Sequence, residues 1–340
     1  MSQLDLNPAL AVVLAACDAA LAALGQRPES SPDTDTPAIR ADLLALLDII
    51  SHNSTKAALA LKPSKPSYSA SVAPLTEIAA RIAAIAHCVR LFTPSHGCAL
   101  LNEATSLARQ VIEAVRSLAQ TLLATGDDYL VRTAAVHDLI DKARGPEGLS
   151  ADNVSAVRKL WLSDQASLVD GCEELVQMID ATPTELDDGW DELGLGTEHL
   201  SLTEIERAKK VCSRPTFLSL LIYALQAKNL LHLSTLLHKR VVTNLLSGTY
   251  GSDSNPHLDL LPRHSSALLI ASDNLIATMY GPQNVQNMAT ELASFKSAVQ
   301  NLQDLITPLL QDKTKKWFNA CFEQIYKAAD ALQGIIDTGS

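Results

Sequence analysis

One short acidic motif has the residue types and spacing that metal-assisted chemistry requires. The stretch Asp187-Asp188-Gly189-Trp190-Asp191 places three carboxylates within five residues. Carboxylates at this spacing can hold Mg²⁺ against a diphosphate when they stand at the end of a helix that faces a cavity. Such a site also needs a second acidic motif and several Arg or Lys side chains, because the charge of the diphosphate has to be neutralised.

The sequence around this motif does not supply the rest of such a site. The D-D-x-x-D pattern occurs in prenyl and terpene synthases, which are also all-α. Here it lies among Pro183, Gly194 and Gly196, outside any helical periodicity, and no second aspartate-rich motif or basic cluster pairs with it. We therefore expect no catalytic residues, no metal site and no cofactor. A Mg²⁺-dependent synthase is kept as the third alternative.

The histidines and cysteines form no catalytic or metal-binding pattern. His87, His137, His232 and His238 fall in helical stretches, but none belongs to an H-E-x-x-H motif or lies four residues from another His. The six cysteines have no C-x-x-C spacing, and no basic, apolar signal peptide opens the chain. The cysteines are therefore predicted to be reduced, mostly buried small hydrophobes in an intracellular protein.

Charge and composition exclude two further classes of partner. The net charge is −11, whereas phosphate binding needs a local excess of Lys and Arg. The strongest candidate, Lys313, Lys315 and Lys316, is interpreted as the solvated first turn of a helix, so no direct nucleic-acid binding is expected. No apolar run reaches the roughly 18 residues that span a bilayer, so no membrane association is expected either.

Helical periodicity is the strongest structural signal in the chain. Apolar residues recur at alternating spacings of three and four from Leu75 to Phe92, Leu101 to Leu122, Val154 to Ile179 and Val285 to Leu309. This spacing places one apolar face along several helical turns. No stretch alternates with the period of a β-strand, so the sequence predicts an all-α fold. Pro74 is expected in the first turn of its helix, where its missing N–H costs nothing.

The helical pattern is interrupted between residues 182 and 200. This stretch holds six Asp and Glu residues and no Lys or Arg. We interpret it as an acidic linker, since domain boundaries fall in such polar stretches rich in Pro and Gly. The sequence therefore predicts two antiparallel helical bundles, an N-terminal one at 1–181 and a C-terminal one at 201–340, joined by the acidic linker at 182–200.

Several local sequences resemble the cyclin-D-binding protein (GCIP-like) family. The resemblance is carried by the acidic motif from Asp187 to Gly194, which contains G-W-D-E-L, and by Ser51-His-Asn-Ser-Thr-Lys-Ala57. It continues in the segment from Asp152 through Trp161 to Glu174. A later similar segment, Leu258–Met279, contains Asp259, Ser265 and Asp273.

The resemblance implies a two-part helical protein that binds D-type cyclins and helix-loop-helix factors and negatively regulates the cell cycle and transcription. It also implies a location in nucleus and cytoplasm, and it carries over no catalytic residues. The leading hypothesis is therefore a non-enzymatic protein-binding regulator. The alternative is a helical-bundle scaffold or adaptor like the vinculin and talin bundles, which share Ala-rich amphipathic helices.

The predicted partner-binding residues lie in the acidic linker. They are Asp187, Asp188, Trp190, Asp191 and Glu192. An aromatic side chain beside carboxylates is costly to leave in water, so Trp190 is expected to dock either on its own bundle or on a partner.

Overall fold

The computed structural model describes residues 3–26, 35–62, 64–124, 127–180, 215–248, 250–280 and 284–338. Within these ranges the regular elements are helices, without a β-strand, so the prediction of an all-α fold is confirmed. The α-helices, in chain order, are α1 (Gln3–Leu24), α2 (Thr36–Ala60), α3 (Tyr68–Arg90), α4 (Cys98–Leu123), α5 (Tyr129–Arg144), α6 (Asn153–Asp180), α7 (Pro215–Asn244), α8 (Asn255–Leu258), α9 (Leu261–Ala277), α10 (Val285–Ile306) and α11 (Asp312–Thr338).

The chain divides into two compact units that do not follow chain order. Unit 1 comprises Met1–Val157 together with Tyr250–Asp259, and unit 2 comprises Arg158–Thr249 together with Leu260–Ser340. The predicted acidic linker at 182–200 lies outside the described residues. The predicted bounds at 1–181 and 201–340, and the arrangement as two antiparallel bundles, therefore stay predictions.

Five helices form a closed ring in unit 1. α3 packs against α1 and α2, α1 also packs against α4, and α5 packs against both α4 and α2. Apolar side chains from α1 to α4 meet inside the ring, among them Val13, Ala57, Leu75, Ile78, Val115 and Leu118. The apolar stripes read from the sequence are therefore largely the protein's own core, and burying each Leu or Ile contributes about 1.5–3 kcal/mol.

α3 differs from its prediction at its start. The helix begins at Tyr68, so Pro74 is buried inside it and is not in its first turn. The expectation for Pro74 is wrong because the residues before it in the helix are mostly Ser and Ala, and they lack the regular spacing of large apolar residues from which the helix was read. Ser71, in the first turn, donates its hydroxyl proton to the Tyr68 carbonyl oxygen at 2.8 Å.

α3 is also long and apolar enough to cross a membrane by length and composition, although the sequence analysis expected no such segment. Half of its apolar window is buried in the structure. Its buried residues, including Ile78, Ile82, Ile85 and Val89, lie on the helix that packs against α1 and α2. A core helix meets the same criterion, and burial against neighbouring helices accounts for the composition of α3.

In unit 2, α7 packs against α11 and α9, and α10 packs against both α9 and α11. The largest fully buried side chains of this unit are aromatic: Trp161, Phe295, Phe318 and Phe322. Trp161 comes from α6 and lies within the apolar stripe from Val154 to Ile179 that was read from the sequence. The interior of unit 2 therefore contains several of the few aromatic residues of the chain.

Candidate functional site

The predicted partner-binding residues cannot be placed. Asp187, Asp188, Trp190, Asp191 and Glu192 all lie between 181 and 214, outside the described residues. Their role in binding stays a prediction. The candidate sites that the structure does describe are three polar clusters and one exposed apolar surface.

The first polar cluster joins α2 to α5 around an imidazole ring. The Ser51 hydroxyl lies 2.8 Å from His137 Nδ1, and the Thr55 hydroxyl lies 2.9 Å from His137 Nε2. Ser51 and Thr55 are four residues apart on α2, so both face the same side of the helix. Nearby, Arg144 of α5 forms an ion pair with Asp48 of α2 at 2.5 Å.

This cluster has a nucleophile beside a base but not the other parts of a hydrolase site. In a serine triad a carboxylate orients the imidazole and backbone N–H groups receive the oxyanion. Here the second ring nitrogen of His137 faces a hydroxyl, Thr55, and the Asp48 carboxylate is engaged by Arg144. Ser51 sits within α2, where backbone N–H groups are used by the helix itself. The cluster is suited to holding two helices in register.

The second polar cluster caps the start of α4. One carboxylate, that of Asp259, accepts hydrogen bonds from the backbone N–H groups of Cys98 at 2.8 Å and of Ala99 at 3.1 Å. The Asn153 side chain accepts from Leu100 N at 3.2 Å and donates to Asp259 Oδ1 at 3.0 Å. First-turn N–H groups have no partner within their own helix. Here groups from two distant parts of the chain satisfy them.

Gly97 makes this cap possible. Its φ is +103°, and a Cβ at this position would lie 1.9 Å from Asn153 Cγ. The Asn153 side chain is buried, and its amide also donates to Asn255 Oδ1 at 3.2 Å. The sequence analysis cited Asp259 and the neighbourhood of Asn153 as resembling one family but did not predict that they meet. No signal in a single sequence joins positions so far apart.

The third cluster lies in the interior of unit 2. The rings of Trp161 and His238 stack with their centroids 4.5 Å apart, and Trp161 Nε1 donates to the His238 carbonyl oxygen at 3.2 Å. His238 is fully buried, and neither ring nitrogen has a hydrogen-bond partner. Burial lowers the pKa of His238 to about 3. The ring is therefore neutral at physiological pH and packs as an aromatic side chain.

The five cysteines in the described part of the chain lack the environment of reactive nucleophiles. Burial raises the pKa of Cys17 and Cys321 to about 12, and that of Cys88 and Cys172 to about 11. Cys98 is exposed, and its pKa is also raised, by partial burial and by Asp259. All five are free thiols. Because the thiolate is the nucleophile, these side chains are poorly reactive at neutral pH.

Exposed apolar residues lie on both sides of the connection between α4 and α5. Leu123 ends α4 with 42% of its surface exposed, and Leu130 and Val131 begin α5 with 61% and 67% exposed. Single exposed apolar residues are ordinary, but three within nine residues form a cluster of the kind that marks interaction sites. Exposed charged residues, including Asp128 and Arg132, flank this α4–α5 surface.

Among the described residues no group of three His, Cys, Asp or Glu side chains could hold a metal ion.

Comparison with known proteins supports the resemblance seen in the sequence. Residues 42–181 match the family model for Grap2 and cyclin-D-interacting proteins, N-terminal domain. No curated protein sequence matches the chain. The matched residues run from within α2 to the end of α6 and include the Ser51 motif, Asn153 and the α4–α5 surface. The predicted GCIP-like resemblance is confirmed for this part of the chain.

Proposed function

We propose that the protein is a non-enzymatic regulator that acts by binding other proteins, because residues 42–181 match the family model for the amino-terminal domain of Grap2 and cyclin-D-interacting proteins. The proposed partners are D-type cyclins or helix-loop-helix factors, and the proposed result is negative regulation of the cell cycle and transcription. The match to the family model is the observation that carries this proposal. Residence in both nucleus and cytoplasm, which the family resemblance implies, is part of it.

The chemistry of the described side chains supports a binding role. The most suggestive nucleophile–base pair, Ser51 with His137, has no orienting carboxylate, and the described thiols are held protonated by burial. The contacts of His137 join α2 to α5, which supports a structural role for this pair. An assay for Mg²⁺-dependent release of diphosphate from prenyl diphosphates tests this part of the proposal. Activity that disappears in Asp187→Asn with Asp188→Asn would make the protein an enzyme.

We place the partner contact on the α4–α5 surface. It lies within the matched domain, and its three apolar side chains gain about 25 cal/mol for each Å² removed from water. The exposed charges beside it can exclude poorly matched partners. The polar cluster at His137 and the five-helix ring hold α4 and α5 in position, so the surface is presented by a rigid scaffold.

Isothermal titration calorimetry with the full-length chain tests the proposal. A D-type cyclin and a helix-loop-helix factor are titrated separately against the wild type and against Leu130→Glu with Val131→Glu. Placing two carboxylates in an apolar contact is expected to weaken binding at least about tenfold. The control is Val12→Glu with Leu59→Glu, which changes exposed residues of the same types elsewhere in unit 1.

The possible results of the titrations distinguish the proposed binding function from the proposed location of the contact on the α4–α5 surface. Binding of neither partner by the wild type contradicts the proposed function. Equal weakening in both double variants, or in neither, shows that the contact lies elsewhere and leaves the function standing. Pelleting of the wild type with actin filaments would favour the vinculin- and talin-like scaffold. Fluorescent tagging in the source cell tests the proposed presence in nucleus and cytoplasm.

A further inference from the structure

Positive charge is concentrated on one helix of unit 2 and on the first turn of a neighbouring helix, although the whole chain carries a net charge of −11. α7 contains Lys228, Lys239 and Arg240 and no Asp or Glu in its 30 residues. α11 begins with Asp312 followed by Lys313, Lys315 and Lys316. Because α7 packs against α11, these two basic segments belong to one region of the fold.

The packing brings the basic residues together around an aromatic ring. The Arg240 guanidinium carbon lies 5.1 Å from the centroid of the Trp317 ring. Farther along the same pair of helices, the Cys321 thiol donates to the Leu233 carbonyl oxygen at 3.9 Å. Lys313 precedes Trp317 by four residues, so it lies one turn away on the same side of α11. We call Lys239, Arg240, Lys313, Lys315, Lys316 and Trp317 the basic surface.

The five positive charges of the basic surface outnumber the one carboxylate beside them on α11, that of Asp312. Its five cationic side chains are exposed, and none forms an ion pair with a carboxylate of the described residues. Elsewhere in unit 2 the lysines are paired, as in Lys296 with Asp330 at 2.7 Å and Lys327 with Glu323 at 2.9 Å. The three lysines also stand at the positive end of the α11 dipole. The result is a local positive potential on an acidic protein.

From this arrangement we propose that the basic surface binds an acidic peptide segment of a partner protein. Stacking on Trp317 holds the Arg240 guanidinium in one orientation, which favours paired hydrogen bonds to a carboxylate. The lysines on the first turn of α11 supply further positive charge for neighbouring acidic side chains. The basic surface lies outside residues 42–181, so this second binding activity does not rest on the proposed function.

The extent of the surface favours a peptide over a nucleic acid. Lys313 to Lys316 cover about one helical turn, roughly 5 Å along the axis. A nucleic acid gains affinity from many phosphate contacts along its length, and the net charge of the chain repels a long polyanion. A short acidic segment needs only a few cations and leaves the rest of the acidic protein out of contact.

Fluorescence anisotropy tests the proposal with the full-length chain. The probe is a fluorescein-labelled peptide of about twelve residues in which Glu and Leu alternate, and a peptide with Lys in place of Glu is the charge control. A labelled single-stranded DNA of similar length is measured in parallel. Titrations at about 50 mM and about 200 mM NaCl report the electrostatic contribution.

Two matched variants locate the binding site. Arg240→Glu with Lys313→Glu reverses two charges of the basic surface, and Lys296→Glu with Lys327→Glu reverses two charges elsewhere in unit 2. Both change the net charge equally. We expect the first pair to weaken acidic-peptide binding at least about tenfold and the second pair to change it little. Circular dichroism confirms that each variant is folded, and Arg240→Gln with Lys313→Gln replaces the reversal if it is not.

Three results would overturn the proposal. They are the absence of acidic-peptide binding by the wild type, equal losses in both variants, and tighter binding of DNA than of the acidic peptide. Binding that weakens with salt and is lost only when Arg240 and Lys313 are reversed supports it. Because the cyclin titration probes a surface in unit 1, failure of either experiment leaves the other proposal untouched.

Discussion

The cap of α4 by Asp259 offers the sharpest test of the structure. In Asp259→Ala, the N–H groups of Cys98 and Ala99 lose their acceptor, and Asn153 loses one of the two acceptors of its amide. Since these N–H groups belong to the first turn of a helix, no carbonyl of α4 can replace the carboxylate. The segment Tyr250–Asp259 also loses part of its attachment to unit 1.

The size of the effect follows from these contacts. Loss of a helix N-cap costs about 1 kcal/mol, and removing negative charge from the positive end of a helix costs about 0.3–1 kcal/mol. The lost bond to Asn153 adds about 0.5–1 kcal/mol. We therefore expect a destabilisation of about 2 kcal/mol, which changes the opening equilibrium of this region roughly thirtyfold.

Hydrogen exchange measured by mass spectrometry is the appropriate assay. A chain with two compact units need not unfold in one step, so a single unfolding midpoint is not a safe measure. Exchange of the amides at the start of α4 reports local opening directly. Asp259→Ala should speed their exchange by about the thirtyfold change expected above. Asp253→Ala removes an exposed acid from the same segment and should leave their exchange unchanged.

Two results would refute this reasoning. Equal exchange in Asp259→Ala and the wild type would mean that the carboxylate does not cap α4. Equal acceleration in Asp253→Ala would mean that general negative charge in the segment matters and the specific contact does not. Asp259→Asn, which keeps one oxygen acceptor without the charge, should fall between the wild type and the alanine variant.

The remaining predictions concern backbone strain, a buried imidazole and the α2–α5 cluster. Gly97→Ala should destabilise unit 1 by about 2 kcal/mol or more, because its φ is positive and no space exists for a Cβ. Gly334→Ala, near the end of α11 with open space around it, should stabilise unit 2 by up to about 1 kcal/mol, and hydrogen exchange followed separately in each unit measures both. In the folded protein the pKa of His238 is about 3, below its ordinary value of 6.5. As the pH falls from 6.5 to about 3, the unfolded chain therefore binds a proton at His238 that the folded protein does not bind. The free energy of unfolding decreases across that pH range. His238→Phe should make the free energy of unfolding, measured by urea titration at several pH values, less dependent on pH. His52→Phe, a substitution at an exposed histidine, should leave this dependence unchanged. His137→Ala should lower the free energy of unfolding of unit 1 by about 2 kcal/mol, because it leaves the hydroxyls of Ser51 and Thr55 without their nitrogen partners. Unchanged hydrogen exchange in α2 and α5 would contradict the contacts seen between these helices.

The two proposed binding surfaces have different chemistry and lie in different units. The α4–α5 surface is apolar, lies in the matched domain and suits a partner that buries its own apolar residues. The basic surface is charged, lies beyond residues 42–181 and suits an acidic segment. A protein with both could hold two partners or two parts of one partner, and the separate variants distinguish these arrangements.

The sequence by itself determined most of the helices and the residues at which several of them end. Apolar residues spaced by three and four placed α4 and α10, and breaks at Thr93-Pro94-Ser95 and Gly145-Pro146 lie where α3 and α5 end. The position of Trp161 in a stripe predicted its burial, and the resemblance of the Ser51 motif and the Asp152–Glu174 segment indicated a family now matched over residues 42–181. These features depend on neighbours within a few turns, so one sequence is enough to read them.

Only the tertiary structure decided which distant side chains meet. Asp259 caps a helix that begins 161 residues earlier in the chain, and Trp161 stacks on a histidine 77 residues later. Lys313, Lys315 and Lys316 were interpreted as a solvated first turn, and the packing of α7 on α11 brings Arg240 onto the Trp317 ring beside them. Periodicity reports which face of a helix is apolar but not which helix will cover it. The packing of all helices in a unit determines which faces meet. In unit 2 this packing places the charges of α7 and α11 side by side, so that they form the basic surface.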